Sequence, residues 1–158
     1  MATQTKLDFE GLEAIQTLIE GILSKTEDWS EAGDIVGDIV RDDFMMRFQS
    51  SPSTTSGGSV WGGTYWRALD EGYLMSNPRR KTGQVLIDTG ELMRAFTREN
   101  ATGNLTSVTE DTMEFGVNLD ILPHAERLQE TWAIAFWHPA LLEKISAKLT
   151  EWYIGRNK

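Results

Sequence analysis

The sequence predicts an α+β fold: N-terminal helices, a small antiparallel sheet and a C-terminal helix. Three observations carry that prediction. Apolar residues recur at spacings of three and four through residues 12–48, the pattern of helices with one buried face. Met113, Phe115 and Val117 alternate with polar or small residues, the period of a strand. After Pro139 the helical spacing returns in Leu142, Ile145, Leu149 and Trp152. The chain has 158 residues, the size of one ordinary domain, and is 40% hydrophobic with six Trp and six Phe, enough material for a core.

The first helix is read from Leu12, Ile15, Leu18, Ile19, Ile22 and Leu23, with Asp8 as its N-cap. Glu10 and Glu13 sit where the helix dipole favours them. A second helix opens at Asp28, where Glu31 three residues on completes a capping box. Its buried stripe is Trp29, Ala32, Val36, Ile39, Val40, Phe44 and Phe48. From Ser50 to Thr64, twelve of fifteen residues are Ser, Thr or Gly, too little apolar area to offset ordering, so this stretch reads as a loop or linker. Tyr65 to Leu74 reads as a short helix, Asn77 to Lys81 as a turn, and Glu91 to Phe96 as a helix. Asn104–Thr109 and Thr112–Asn118 form a hairpin around Glu110 and Asp111. The chain thus divides into a helical region, 1–49, a loop, 50–64, and an α+β core, 65–158.

The formal charge is −9, from 24 acidic and 15 basic residues, which argues against a general duplex-DNA binder. Residues 1–50 hold four bases and eleven acids, so most of the acidity lies there. With no cysteine, disulfides, thiolate nucleophiles and sulfur-ligated metals are excluded. Residues 1–6 show no signal peptide, and the most apolar stretch, 131–142, falls short of the roughly 20 residues of a membrane span. The expectation is a soluble protein with no membrane contact.

Catalytic constellations are not visible. There is no phosphate-binding Gly-x-x-x-x-Gly-Lys loop and no Gly-x-Ser-x-Gly elbow. His124 and His138 lack metal-ligand spacing and read as polar residues at helix boundaries. The expectation is no catalytic residue, no cofactor and no metal. Two features stand out instead. Gly-Asp-Ile-Val occurs twice in tandem, at 33–36 and 37–40, which stacks Gly33 on Gly37 and aligns Asp34, Asp38 and Asp42 on a helix. Like charges and glycines both weaken a helix, so this one is expected to pack closely through its glycines and to offer its three aspartates to a basic partner. The other feature is the basic cluster Arg79, Arg80 and Lys81, a candidate contact for phosphate or for an acidic neighbouring copy.

From Trp61 onward the order of segments resembles a known pattern. It runs Gly62-Gly63-Thr64-Tyr65-Trp66-Arg67-Ala68-Leu69, then Val85-Leu86-Ile87-Asp88-Thr89-Gly90-Glu91-Leu92-Met93-Arg94-Ala95-Phe96. Glu114-Phe115-Gly116-Val117-Asn118 and His124-Ala125-Glu126-Arg127-Leu128-Gln129-Glu130-Thr131 follow, and then Phe136-Trp137-His138-Pro139-Ala140-Leu141. This resembles the virion-morphogenesis and tail-completion (head–tail joining) proteins of tailed bacteriophages. The likeness covers roughly residues 61–145 and is strongest from Leu86 to Leu92. Three departures stand out: His124 replaces the usual Tyr, His138 replaces the usual Arg, and a Gly common after the 124–126 segment is missing.

The resemblance implies a structural virion protein and no enzyme. It implies a homo-oligomeric ring, a hexamer favoured, at the neck of a virion assembled in the host cytoplasm. The ring's partners would be the portal or connector and the tail terminator or tail tube, with DNA only as cargo in the channel. A tail-terminator ring is the nearest alternative; a small hydrolase or a regulatory binding module are the alternatives from other classes.

Overall fold

The computed structural model describes residues 13–110 and 112–158. Among them are six α-helices and two antiparallel hairpins of two strands each, an α+β architecture with helices at the N-terminus and a long helix at the C-terminus. The expected cap Asp8, Glu10, the side chain of Glu13 and the turn residue Asp111 lie outside the described residues.

Helix α1 spans Glu13–Leu23 and buries Ile19, Ile22 and Leu23, with Ile15 partly covered. Leu18, expected on the buried face, is exposed. Helix α2 spans Ser30–Gln49 and buries Ala32, Val36, Ile39, Val40, Phe44 and Phe48 as its spacing predicts. It starts two residues later than expected. Asp28 accepts from the Ser30 amide and hydroxyl at 2.9 and 2.6 Å, a turn ahead of the helix, and Glu31 pairs with Arg156 at 3.3 Å, so no capping box forms. The Ser30 bonds hold the Asp28 carboxyl below its usual range.

The segment 50–64 is ordered chiefly by hydrogen bonds, with Val60 as its one residue in the apolar core. Strand β1, Gly58–Ser59, pairs with β2, Tyr65–Trp66. The buried Ser51 and Thr54 hydroxyls donate to the carbonyls of Val85 and Arg80, and the Val85 amide donates to the Pro52 carbonyl at 2.9 Å. Each buried bond contributes on the order of 1 kcal/mol, so a short run of them offsets the ordering that composition alone could not. β2 also replaces the start of the helix expected from Tyr65. Helix α3 is confined to Glu71–Ser76, opened by Asp70, which accepts from the Tyr73 amide at 3.1 Å.

A 3₁₀ turn follows at Pro78–Thr82, and helix α4 spans Glu91–Thr97. Gly90, at φ +80°, supplies the left-handed residue before α4 that other residue types adopt only with strain. Strands β3, Asn104–Val108, and β4, Met113–Val117, form the expected hairpin, with Thr106 opposite Phe115. Helix α5 spans His124–Trp132, and α6, Pro139–Arg156, buries Leu142, Ile145 and Leu149.

α2 organises the core. α6 and α4 both pack against it, and α1 packs on α6. Phe44 and Phe48 of α2 meet Phe96 at ring separations of 4.8 and 6.0 Å, and Phe48 meets the fully buried Trp66 edge-on at 5.9 Å. The β3–β4 hairpin lies over the first half of α2. There a Cβ on Gly33 would fall 2.4 Å from a Val108 methyl, and one on Gly37 would fall 2.8 Å from the Phe115 ring. The tandem glycines therefore admit the hairpin. Among the described residues no helix is long and apolar enough to cross a membrane.

Candidate functional site

The three aspartates expected to meet a partner share one exposed line of α2, beside the glycines that the hairpin covers. Asp38 is paired with Arg41 at 2.9 Å; Arg41 also lies 3.7 Å from Glu99 and donates to the Thr106 hydroxyl at 3.4 Å. The stripe at Asp34 and Asp42 is thus more acidic than at Asp38. The same line continues one turn further to Met46, also exposed.

The basic cluster divides three ways. Arg79 makes a two-pronged contact with Asp88, one bond at 2.9 Å, on the surface. The Arg79 bonds hold the Asp88 carboxyl below its ordinary range, and Asp88 raises the Arg79 guanidinium in turn. Arg80 is buried: its guanidinium donates to the carbonyls of Ile87 at 2.6 Å and Gln84 at 3.1 Å, and Asp88 lies 3.9 Å away. Lys81 is exposed. Arg80, expected as a surface contact, instead fastens the turn to the segment that carries Val85 to Asp88. Among the described residues no ion pair joins this cluster to Asp34, Asp38 or Asp42.

The most concentrated polar chemistry lies elsewhere. Asp43, Arg47 and His138 are buried together at 6%, 0% and 5% exposure. Asp43 Oδ2 accepts from Arg47, while Oδ1 receives the Trp61 indole N–H at 2.7 Å and faces His138 Nε2 at 2.8 Å. The terminal nitrogens of Arg47 also donate to the carbonyls of Ile134 and Phe136, the latter at 2.9 Å, the Phe136 ring covers the guanidinium at 4.0 Å, and the buried Nε has no partner among the described residues. Burial pushes the Arg47 guanidinium below its usual value, and Asp43 opposes that shift. This cluster joins α2, the 50–64 loop and the segment leading into α6. Gly62, at φ +92°, belongs to the same junction: a Cβ there would come 2.9 Å from Phe136 and 3.1 Å from His138.

Sequence reading missed this cluster. Asp43 and Arg47 are four apart on the apolar side of α2, between Val40 and Phe48, and a polar pair inside an apolar stripe is the signal that could have found it. His138 does sit at a helix boundary, immediately before α6, and is also buried on a carboxylate; His124 opens α5 and is exposed.

Between α1, α2, α6 and β4 runs an apolar cleft of about 460 Å³, floored by Val36, Phe44, Leu142 and Ile145, with Phe115 and Glu114 on the hairpin side. Among the described residues no group of three or more His, Asp and Glu side chains is arranged to hold a metal ion. No protein-family model, no curated protein and no solved structure matches the chain.

Proposed function

We propose that this chain is a structural protein of a tailed-phage virion, forming a ring at the head–tail junction that completes the tail and joins it to the portal or connector. The observation that supports this reading is how the residues carrying the resemblance are used. Trp66 is a fully buried core residue, Asp88 clasps Arg79, Gly90 turns the chain into α4, and Ala125 packs in the core. Each of them serves the fold of this chain, as parts that shape a surface for other proteins do. The net charge of −9 fits a ring around DNA, because an acidic channel repels phosphate and lets the cargo slide.

Light scattering of the protein alone and with purified tail tubes tests the reading. A ring-sized species, or incorporation at the end of the tube, is expected; a monomer that never joins a particle overturns it. Within that assay, reversing Asp34, Asp38 and Asp42 to Lys together is expected to abolish partner binding with the thermal unfolding temperature little changed. Binding that survives the triple reversal removes the stripe from the interface.

A further inference from the structure

The β3–β4 hairpin is a sheet of only two strands, so each strand keeps an outer edge. The ladder shows which groups the β3 edge offers. The Thr109 amide donates to the Thr112 carbonyl and the Asn118 amide to the Gly103 carbonyl, both at 2.8 Å. Bonded and open pairs alternate along an antiparallel ladder, so Leu105 with Gly116 and Ser107 with Glu114 are the bonded pairs in between. The amides and carbonyls of Thr106 and Val108 therefore point away from β4, and among the described residues no group bonds to them. Asn104 differs, because its amide already donates to the Ala101 carbonyl at 3.0 Å. Natural sheets guard such edges with Lys, Pro or a bulge. β3 reads Asn-Leu-Thr-Ser-Val in unbroken register and has none of these. What flanks it is acid. Val108 rests on Gly33 and the Thr106 hydroxyl accepts from Arg41, which sets the aspartate line of α2 alongside β3, while the apolar cleft lies on the β4 side. Asp38 and Glu99 both reach that same Arg41, at 2.9 and 3.7 Å, and their side chains stay 80% and 57% exposed. One arginine between two carboxylates leaves the group net negative, and the exposed Asp34, next to Gly33 in α2, extends it.

We infer that the outer edge of β3 takes up an extended basic segment of another protein as a third strand. The amides and carbonyls of Thr106 and Val108 bond to its main chain. The residues set opposite those two share their face of the sheet, the face turned to α2. Lys or Arg at both places, two apart in the segment, meets Asp38 and Glu99 at one and Asp34 at the other. Main-chain bonds supply affinity for any extended segment, and the acids select a basic one. The same acids exclude a second copy of β3, which would set Asp38 and Glu99 of both chains against each other. For the partner's identity, a neighbouring protein of the neck, this rests on the reading above, and it gives the acidic stripe of α2 a binding mode.

The test is an NMR titration of the isotope-labelled full chain, at low salt, with the synthetic peptide acetyl-Thr-Lys-Val-Lys-Val-Lys-Thr-amide. Saturable binding is expected, with the largest amide shifts at Thr106 and Val108 and slowed hydrogen exchange there. The same peptide with Glu for Lys is expected not to bind. N-methylation of the peptide's Lys amides keeps every charge and removes the donors, and should weaken binding about tenfold. Thr106→Pro removes an outward N–H and leaves the ladder bonds in place, with a similar loss expected. Circular dichroism checks that this variant is folded; if it is not, the N-methylated peptide on the unaltered chain decides. Asp38→Lys with Glu99→Lys is expected to reverse the preference toward the Glu peptide. No saturable binding overturns the inference, and so does binding indifferent to N-methylation, which is charge attraction without a strand. A chain that takes the peptide at β3 yet never joins tail tubes keeps the edge and overturns the neck reading. Folded Thr106→Pro that joins tubes as well as the unaltered chain keeps the neck reading and overturns the edge as the contact.

Discussion

The interior and the surface of this protein each hold an aspartate–arginine clasp, and the two are built differently. Asp43 and Arg47 lie in the core, where every donor and acceptor withdrawn from water needs a protein partner. Asp43 accordingly serves Arg47, Trp61 and His138 at once, and the two terminal nitrogens of Arg47 also reach two carbonyls, while its buried Nε is left without a partner among the described residues. Asp88 and Arg79 lie at the surface, 37% and 68% exposed, and there water completes whatever the pair leaves open. The same two side-chain types therefore form a three-segment junction in one place and a single tie in the other. The lesson is that the number of segments a polar pair holds follows from its burial, because burial forces each spare lone pair onto another part of the chain.

The sharpest way to break this comparison is to remove one aspartate at a time. Asp43→Ala leaves Arg47 buried without its counter-charge, a loss of about 3–5 kcal/mol by the behaviour of broken buried pairs. Asp88→Ala leaves Arg79 in water, and the urea midpoint is expected to move only slightly. Chemical denaturation of both variants at neutral pH checks the ratio. Equal losses would show that burial does not set the difference.

Packing gives the interior a second kind of intolerance. By helix propensity alone, Gly33→Ala would stabilise α2 by about 1 kcal/mol. The added methyl instead meets Val108 at 2.4 Å, and Val108 is β-branched and stiff. A net loss of about 1–3 kcal/mol is expected, the usual range for overpacking. Val108→Ala in the same chain should recover most of it. If Gly33→Ala alone stabilises, the hairpin does not press on α2 as described.

The same elements differ in how far the amino-acid sequence announces them. The α2 stripe, the β3–β4 hairpin and α6 follow directly from periodicity, because each buries one face along a regular spacing. The close packing at Gly33 and Gly37 was legible too, since glycines repeated within a helix need a reason. What spacing could not show was the 50–64 segment. Ser51 and Thr54 are ordered by bonds to carbonyls some 25 to 35 residues away, and no local pattern encodes an acceptor that distant. The Asp43 junction was hidden for the same reason: its Trp61 and His138 partners lie 18 and 95 residues away in sequence. Arg80 illustrates the opposite error. Three consecutive basic residues suggest one surface patch, yet the 3₁₀ turn points the middle one inward.

A smaller perturbation separates the members of the interior junction. Trp61→Phe keeps an aromatic ring and removes the pyrrole half of the indole, with the N–H that donates to Asp43 at 2.7 Å. Asp43 Oδ1 keeps His138 as a partner, so no acceptor is stranded. The expected loss is about 1 kcal/mol, well below that of Asp43→Ala. Because Trp61 is 38% exposed, proteolysis of the 50–64 segment should accelerate more than global unfolding, as its tie to α2 weakens. Cleavage that tracks global stability alone would mean the loop opens only when the whole molecule does.

The surface clasp is best tested by pH, where its contribution has a definite sign. Asp88 has its carboxyl lowered in the folded protein, chiefly by the Arg79 hydrogen bonds, so the folded state binds its proton more weakly than the unfolded chain does. Its contribution to stability is complete above the unfolded carboxylate pKa of about 3.9 and fades as pH falls through the lower, folded value. Asp28, lowered by Ser30, acts in the same direction and in the same window. Asp88→Asn removes the titrating group and its charge, and Asp28 remains. Comparing the acid limbs of the two unfolding curves should therefore show a shallower fall in stability below about pH 4 for Asp88→Asn, with the curves nearly parallel from pH 5 to 7. Identical acid limbs would mean that Arg79 holds Asp88 no more tightly when the protein is folded than when it is not. The surface tie would then be a contact without thermodynamic weight.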